Sequence, residues 1–277
     1  MVELKNLENG FSYLEVSNSS SSAKIALQGA HVFEYKRGEE EDILWLSETS
    51  AFELGTAIRG GIPVCWPAFG MNNPDLPQHG FSRTALFEFV NSKEISKDET
   101  QVCLRLRDTQ ESLKLWNYKF ELELIVRVSD TLSLELKTTN RDTQEFKLTQ
   151  ALHTYFNVSD ISNAVVKGLK GKPRLDALRG IVFIQENDIK FDEEFDSVFQ
   201  KVNNEIILGY KDRKVSIINE GSSSVVVWNP WIEKGARMSG MRAEAYREFV
   251  CIESANAYED FRVLKPNESH SLKATIH

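Results

Sequence analysis

The sequence predicts an all-β protein built as a large antiparallel sandwich, and three observations support this. Apolar and polar residues alternate through most regular segments, which gives each segment one buried face, as in a half-buried β-strand. Turn-forming residues separate these segments at short intervals, as they do between the strands of a meander. Segments with the period of a helix are few and short. Many short strands without interleaved helices indicate a sandwich rather than a mixed α/β fold.

The clearest alternation begins at residue 120 and continues to residue 156. A turn at Ser129-Asp130 separates the first two strands of this region, and a second turn near residues 140–142 precedes the third. The residues expected on the buried face are Phe120, Leu122, Leu124, Val126, Val128, Leu132, Leu134, Leu136, Phe146, Leu148, Leu152 and Phe156. The region therefore predicts an antiparallel meander with one face against the core.

The rest of the chain fits the same pattern in shorter pieces. Gly29-Ala30 is expected to join two strands as a hairpin, and short helices are expected at 241–249 and, as a single turn, at 48–54. Further strands are expected at 11–16, 24–27, 32–36, 43–46, 85–90, 102–107, 206–208, 214–218, 225–228, 249–253 and 271–276. Since no linker rich in Pro, Gly or Ser interrupts them, we expect residues 1–277 to form a single domain.

The net charge of the chain is −8, from 33 basic and 41 acidic residues. Nucleic acids and anionic membranes bind basic surfaces, so this balance argues against both as partners. A small anionic substrate would need a local cluster of arginines. No apolar stretch is long enough to span a membrane, and residues 1–16 lack the features of a signal peptide. We therefore expect a cytoplasmic protein, and we expect it to be a monomer.

We expect neither a metal nor an organic cofactor. The five histidines, at positions 31, 79, 153, 270 and 277, show none of the spacings typical of a metal site. No glycine-rich nucleotide-binding motif and no Gly-x-Ser-x-Gly motif is present. The three cysteines are an odd number without Cys-x-x-Cys spacing, which argues against a disulfide framework.

Two long segments, 55–84 and 229–248, do not follow the strand pattern, and long ordered loops in a compact domain are usually functional. In the first, Arg59 precedes Gly60-Gly61, whose backbone amides can form an anion site beside a guanidinium. An ordinary surface turn explains the same residues. The same segment holds Gln78 and His79 between Pro77 and Gly80, with Arg83 three residues farther on, which suits sugar hydroxyls, although an ordinary loop is the alternative.

His153 lies in the segment Ala-Leu-His-Thr-Tyr-Phe. In a strand, Leu152 and Phe156 would face the core, so His153 would point to the other, less apolar face, into solvent or a cleft. Imidazole suits proton transfer near neutral pH, but a hydrogen-bonded structural histidine fits equally well.

Two carboxylates complete the set of candidates. Glu253 follows the apolar run 249–252, so it lies either in water at a strand end or in a cleft where burial would raise its pKa, as a general base requires. Asp196 lies in an acidic cluster, where it can accept hydrogen bonds from a sugar hydroxyl or can simply be solvated.

Taken together, the motifs IRGGIPVCWPAFG, LPQHGFSR, ALHTYF, VVWNPWIEK and VCIES resemble those of the hexose-6-phosphate mutarotases, a branch of the aldose 1-epimerase group. The resemblance implies a galactose mutarotase-like supersandwich with its site on one sheet face. It implies catalytic roles for His153 and Glu253. It also implies sugar-phosphate contacts through Arg59, Gln78 and Arg83, and substrate binding by Asp196.

The implied reaction interconverts the α and β anomers of a hexose 6-phosphate without a cofactor. Two other functions remain open at this point. A non-catalytic carbohydrate-binding module on the same sandwich would use Trp66, Trp228 and Trp231 to stack on sugars. A glycoside hydrolase would usually need two opposed carboxylates, whereas the resemblance supplies one carboxylate and a histidine.

Overall fold

The computed structural model describes residues 1–71, 73–211 and 213–277, and most regular structure in it is β-strand. The strands, numbered in chain order, are β1 (Val2–Asn6), β2 (Ser12–Ser17), β3 (Ser21–Ala26), β4 (His31–Arg37), β5 (Val64–Cys65), β6 (Glu88–Ser96), β7 (Glu99–Arg107), β8 (Phe120–Val128), β9 (Leu132–Asn140), β10 (Phe146–Leu148), β11 (Gln150–Leu152), β12 (Tyr155–Asn157), β13 (Val165–Lys167), β14 (Pro173–Asp176), β15 (Ile181–Ile184), β16 (Phe195–Phe199), β17 (Ile206–Tyr210), β18 (Arg213–Glu220), β19 (Ser224–Asn229), β20 (Phe249–Asn256), β21 (Arg262–Leu264) and β22 (Ser269–Ile276). The helices are α1 (Gln110–Leu115), α2 (Trp231–Arg237) and the short 3-10 helices Ser82–Thr84, Ile161–Asn163, Ala243–Glu248 and Tyr258–Asp260. No helix in the described part of the chain is long and apolar enough to cross a membrane.

Most of the strands belong to two eight-stranded antiparallel sheets. The first, which we call the site sheet, has the order β15-β14-β16-β19-β20-β11-β5, and β12 also pairs with β20. The second, the packing sheet, has the order β13-β17-β18-β22-β9-β8-β7-β6. Strands β1 to β4 form a smaller sheet, and β10 pairs with β21. The all-β, antiparallel sandwich predicted from the sequence is confirmed.

The main core lies where the inward faces of these sheets pack together. From the packing sheet it receives Leu122, Leu124 and Val126, as the alternation predicts, and from the site sheet it receives Val250 and Ile252. All of these side chains are buried. A strand places successive side chains on opposite faces, so the intervening residues of β20 belong to the other face of the site sheet.

That outer face of the site sheet carries smaller apolar clusters of its own. Phe249 and Cys251 of β20 pack with Trp45, Tyr155 and Trp228. Farther along the same strand, Ala255 packs with Ala151, Val226, Cys65 and other residues in a separate cluster. Glu253 lies on β20 between Cys251 and Ala255, and so projects between these two clusters.

The structure differs from the sequence prediction in several elements. The predicted strand at 146–156 is divided into β10, β11 and β12, because the N–H of Thr149 donates to Pro67 O and the N–H of His153 to Pro63 O. The single turn predicted at 48–54 is not helical, and the segment predicted as a strand at 43–46 forms only isolated bridges. The short helix expected at 241–249 is present as the 3-10 helix Ala243–Glu248. The sequence prediction missed α1, α2, β1, β5, β13 to β16 and β21.

Gly80 is the position where a side chain fits least well in the segment 77–83. Its φ is +74°, and a Cβ would overlap the carbonyl oxygen of Trp66. We expect Gly80→Ala to lower the free energy of unfolding by roughly 1–3 kcal/mol, from backbone strain together with the displacement of this contact. Gly10→Ala is the matched control, since Gly10 has φ +83° but open space around it. Urea titration of both variants measures the difference, and equal losses would contradict a specific role for the Trp66 contact.

Candidate active site

Glu253 is a carboxylate buried in the centre of the site sheet. It is 1% exposed, lies directly across from Val226 of β19, and its Oε2 has no hydrogen-bond partner among the residues that the structure describes. Burial raises its pKa well above the ordinary 4.5, and the charge of Asp196 raises it further. A buried carboxyl without a full set of partners is costly, so its presence in an apolar surrounding indicates a functional group.

His153 meets Glu253 from the neighbouring segment between β11 and β12. Its Nε2 lies 3.3 Å from Glu253 Oε1, and its Nδ1 is buried without a hydrogen-bond partner within residues 1–71, 73–211 and 213–277. The ring stacks on Tyr155 with centroids 4.9 Å apart, and Trp228 packs edge-on against it. His153 is 8% exposed and lies on the face opposite the main core, as the alternation predicts. Burial lowers the pKa of His153 well below 6.5, and His79 and Arg83 lower it further.

The Arg59-Gly60-Gly61 segment fixes the loop that borders this pair. At Gly61, φ is +63°, and a Cβ would press against Val32 O and His31 Nε2. The N–H of Gly61 donates to Trp45 O, and the carbonyl of Gly61 accepts from the N–H of Tyr155. The interpretation of these glycine amides as an anion site is therefore wrong for Gly61, whose N–H is already bonded. The glycines allow close backbone packing, which brings Arg59 Nη1 to 3.5 Å from Tyr155 Oη.

His79 is a second imidazole at the site, and the roles assigned by resemblance did not include it. Its ring packs edge-on against His153, with centroids 5.7 Å apart. The N–H of Gly70 donates to its Nδ1, so in the neutral form the proton sits on Nε2. Burial, with the charges of Arg83 and Arg59, lowers its pKa to about 3. His79 is thus a neutral donor near neutral pH. Its place inside LPQHGFSR was the sequence signal for it.

Arg83 lies at the edge of the pair. Its Nη2 donates to the carbonyl oxygen of Gln78 at 2.5 Å, and its Nε is buried and has no partner in the part of the chain that the structure describes. The residue before it, Ser82, donates through Oγ to the carbonyl of Val64 in β5, the strand that pairs with β11 next to His153. Arg59 contacts Tyr155, whose ring stacks on His153. After the larger effect of burial, the charges of both arginines lower the pKa values of His79 and His153. Gln78 contributes its backbone carbonyl to this arrangement, while the residue itself is exposed.

Asp196 lies on β16, directly across from Trp228, on the same face as Glu253 and two strands away from it. Burial raises its pKa above the ordinary 3.8, and the ammonium of Lys234, 3.8 Å away, opposes this. The structure therefore places His153, Glu253, Arg59, Arg83 and Asp196 around one face. Among the residues that the structure describes, no group of three or more His, Cys, Asp or Glu side chains is arranged to hold a metal ion.

The three tryptophans that a sugar-stacking surface would need do not share a surface. Trp66 is fully buried in the main core, where its Nε1 donates to Thr138 Oγ1. Trp231 packs against Tyr246, and Trp228 forms part of the wall behind His153. The expectation of a stacking surface built from Trp66, Trp228 and Trp231 is therefore wrong.

Comparison with known proteins gives matches over nearly the whole chain. The family model described as aldose 1-epimerase matches residues 12–277. An Escherichia coli K12 protein named "Putative glucose-6-phosphate 1-epimerase" is 34% identical over 267 residues, which is 92% of this chain and 86% of that protein. A crystal structure of a "putative mutarotase" from Salmonella typhimurium superposes with a TM-score of 0.92 at 29% identity, covering 99% of this chain and 92% of that one.

A more distant structure supports the fold alone. The galactose mutarotase related enzyme from Lactobacillus acidophilus superposes with a TM-score of 0.76 at 16% identity, covering 95% of this chain and 96% of that one. The sandwich is therefore galactose mutarotase-like, as the resemblance of the motifs implied.

Proposed function

The chain belongs to the aldose 1-epimerase family, and we propose that it interconverts the α and β anomers of glucose 6-phosphate and related hexose 6-phosphates. The observation that carries this proposal is the buried pair of Glu253 and His153, whose facing atoms are 3.3 Å apart. Each of the two also has a polar atom without a hydrogen-bond partner in the described part of the chain. Two arginines beside the pair supply the positive charge that a phosphorylated substrate needs in a chain of net charge −8. The name carried by the Escherichia coli relative agrees with this substrate.

Anomer exchange requires two proton transfers. A base removes the proton of the anomeric hydroxyl while an acid protonates the ring oxygen, and the ring opens to an aldehyde. The C1–C2 bond then rotates, and the ring closes on the opposite face of the carbonyl with the roles exchanged. We assign Glu253 as the base and His153 as the acid of the opening step. Each positioned acid or base contributes ~10²–10⁴ in rate, so two such groups suffice for opening a hemiacetal.

Burial determines where the proton of this pair resides before the substrate binds. It disfavours the carboxylate of Glu253 and the imidazolium of His153 alike. The free pair is therefore most stable with one proton, held on Glu253, beside a neutral His153. Glu253 therefore acts as the base after this proton passes to His153 Nε2, 3.3 Å away, which gives the carboxylate and the imidazolium that ring opening needs. One proton on the pair is the condition for catalysis.

The flanking residues orient the sugar. Arg59 and Arg83 hold the phosphate, which fixes the ring over the pair and makes the proton transfers intramolecular in effect. Arg83 is suited to this because its Nε is buried and free to donate. His79, a fixed neutral donor, and Asp196, an acceptor, contact ring hydroxyls. Gln78 contributes by holding the Arg83 guanidinium through its carbonyl oxygen and by offering its exposed amide at the entrance.

The competing functions fit the site less well. A carbohydrate-binding module needs exposed aromatic rings and has no use for a buried carboxyl with a raised pKa, and here Trp66 is inaccessible. A glycoside hydrolase needs two carboxylates that face each other across the scissile bond. Here the group that faces Glu253 at 3.3 Å is an imidazole.

Exchange NMR on glucose 6-phosphate, with and without the protein, tests the proposal directly. We expect the protein to accelerate exchange between the two anomeric proton signals without producing any other compound. A protein that binds the sugar phosphate but leaves the exchange rate at its uncatalysed value would contradict the proposed function. Loss of the hexose signals in favour of a new product would indicate a different reaction.

The pH dependence of kcat/KM is expected to be bell-shaped. As the pH falls, His153 takes up a second proton, and because burial lowers its pKa, this limb lies below pH 6.5. As the pH rises, Glu253 loses the shared proton, and because burial raises its pKa, this limb lies well above pH 4.5. Exchange rates measured from about pH 4 to about pH 10 check both limbs. A rate that rises steadily over the whole range would contradict the one-proton condition.

A further inference from the structure

Lys234 is a charged residue beside the site that the proposed mechanism does not use. It lies in α2, which begins at Trp231, two residues after β19 ends. This short connection returns the chain over the outer face of β19, and Lys234 Nζ lies 5.8 Å from the centre of the Trp228 ring. The residue is the last one of the motif VVWNPWIEK, and no role was assigned to it from the sequence.

The ammonium of Lys234 is held between two carboxylates of the β16 region. Its Nζ is 2.8 Å from Glu194 Oε1 and 3.8 Å from Asp196 Oδ2. These three side chains are only partly exposed, at 38%, 29% and 30% for Lys234, Glu194 and Asp196. Because solvent screens such a half-buried group less than a fully exposed one, its charge reaches farther into the sheet.

The register of the sheet connects this ion-pair cluster to Glu253. Asp196 is directly across from Trp228, and Trp228 is directly across from Cys251, two residues from Glu253 on the same face. The charge of Asp196 therefore acts on Glu253, whose pKa it raises after the larger effect of burial. Lys234 opposes the effects of burial and of Glu194 on Asp196.

Other charged groups act on the same two carboxyls. On Asp196 they are Lys234 from α2, Glu194 before β16 and Asp176 from β14. On Glu253 they are Asp196 and Arg83, with the imidazole of His153 in contact. Burial raises the pKa values of Tyr258 and Cys251, and the charge of Asp196 raises that of Tyr258 further, as the charge of Glu253 does for Cys251. Lys234 is thus the cation that acts on Asp196, whereas Arg83 is the cation that acts on Glu253.

We propose that Lys234 is a positioning residue for the acid–base pair. It orients the Asp196 carboxylate, and its positive charge offsets the negative charges of Asp196 and Glu194 near Glu253. This inference rests on the proposed function for its effect on rate. Without the ammonium, two uncompensated carboxylates remain two strands from Glu253. Glu253 then holds its proton more tightly, and Asp196 loses the partner that fixes its orientation toward the substrate.

The test compares Lys234→Met with Lys234→Arg and with Lys273→Met. Lys273 forms a comparable ion pair, with Nζ 2.8 Å from Glu220 Oε1, but it lies on the packing sheet away from the site. We expect Lys234→Met to move the alkaline limb of kcat/KM upward by roughly 0.5 pH unit, the size expected for one screened charge, and to raise KM. Lys234→Arg and Lys273→Met should keep the wild-type limb.

A titration that does not depend on activity keeps this inference separate from the proposed function. The carboxyl carbons of Glu253 and Asp196, followed by NMR in the substrate-free protein, should both titrate at higher pH in Lys234→Met. If the wild type does not accelerate anomer exchange, the proposed function fails while this titration still decides the role of Lys234. The inference is overturned if Lys234→Met leaves both titrations unchanged, or if Lys234→Arg shifts them as much as Lys234→Met does.

Discussion

Glu253→Gln is expected to slow anomer exchange of glucose 6-phosphate by ~10²-fold or more, while the affinity for the sugar phosphate stays within several-fold of wild type. Gln keeps the shape of the side chain and can still hydrogen-bond, so it removes little except the ability to exchange a proton. Single-turnover exchange NMR gives the rate, and calorimetric titration with glucose 6-phosphate gives the affinity.

His153→Asn is the matched variant on the other side of the pair, and it should show the same pattern. In the wild type, His153 Nε2 lies 3.3 Å from Glu253 Oε1. Replacement of either residue leaves the pair unable to donate one proton and accept another in the same step. The assignment is in trouble if Glu253→Gln folds normally and still exchanges anomers at nearly the wild-type rate. A large loss of affinity with intact exchange would make Glu253 a hydroxyl-binding residue instead.

Thermal unfolding provides a control with a predictable sign. The folded-state pKa of Glu253 is raised above its unfolded value by burial, so its contribution to stability is complete below the unfolded pKa and is lost as the pH rises through the folded pKa. Gln does not titrate. The Tm of Glu253→Gln should therefore rise relative to wild type as the pH increases, which also shows that a loss of activity is not a loss of fold.

The sequence predicted the main core because strands with one buried face leave a simple pattern. Leu122 and Leu134 are buried as the alternation requires, and the hairpin at Gly29-Ala30 joins β3 and β4. Strand β15 left no such pattern, because all four of its residues are apolar and exposed at a sheet edge. Helix α1 is stabilised by a capping box in which Thr109 and Ser112 bond reciprocally, a local signal that apolar periodicity does not register.

Alternation along the strands predicted part of the candidate site in the same way, and the rest depends on tertiary contacts. Alternation correctly placed His153 on the face away from the main core. Its contact with Glu253, which is about a hundred residues later in the chain, depends on the pairing of β12 with β20. Burial of Glu253 likewise follows from the strands β19 and β11 on either side of β20, not from its place at the end of an apolar run. Lys234 and His79 gain their positions from helix α2 and from the bond with Gly70, which no spacing rule reveals.

Arg83→Ala is expected to lower kcat/KM for glucose 6-phosphate by roughly ten- to a hundredfold and to affect free glucose much less. Hydrogen bonds between charged groups are worth ~1.5–3 kcal/mol each. Arg83 Nε is buried without a partner among the described residues, and the proposed function assigns it a phosphate oxygen as acceptor. The negative net charge of the chain repels an anionic substrate at long range, so a local cation such as Arg83 becomes more important.

The comparison must separate phosphate binding from two other effects of Arg83. Its charge lowers the pKa of Glu253, so the variants should be compared at their own pH optima, where the pair carries one proton in each. Its Nη2 also donates to Gln78 O, so Arg83→Lys serves as the control that keeps a cation but loses the planar donor set. If Arg83 binds phosphate, Arg83→Lys should lose less kcat/KM for glucose 6-phosphate than Arg83→Ala does. Both variants should lower kcat/KM for free glucose much less than for glucose 6-phosphate. Equal losses on both sugars would mean that Arg83 acts on the acid–base pair and that the phosphate lies elsewhere.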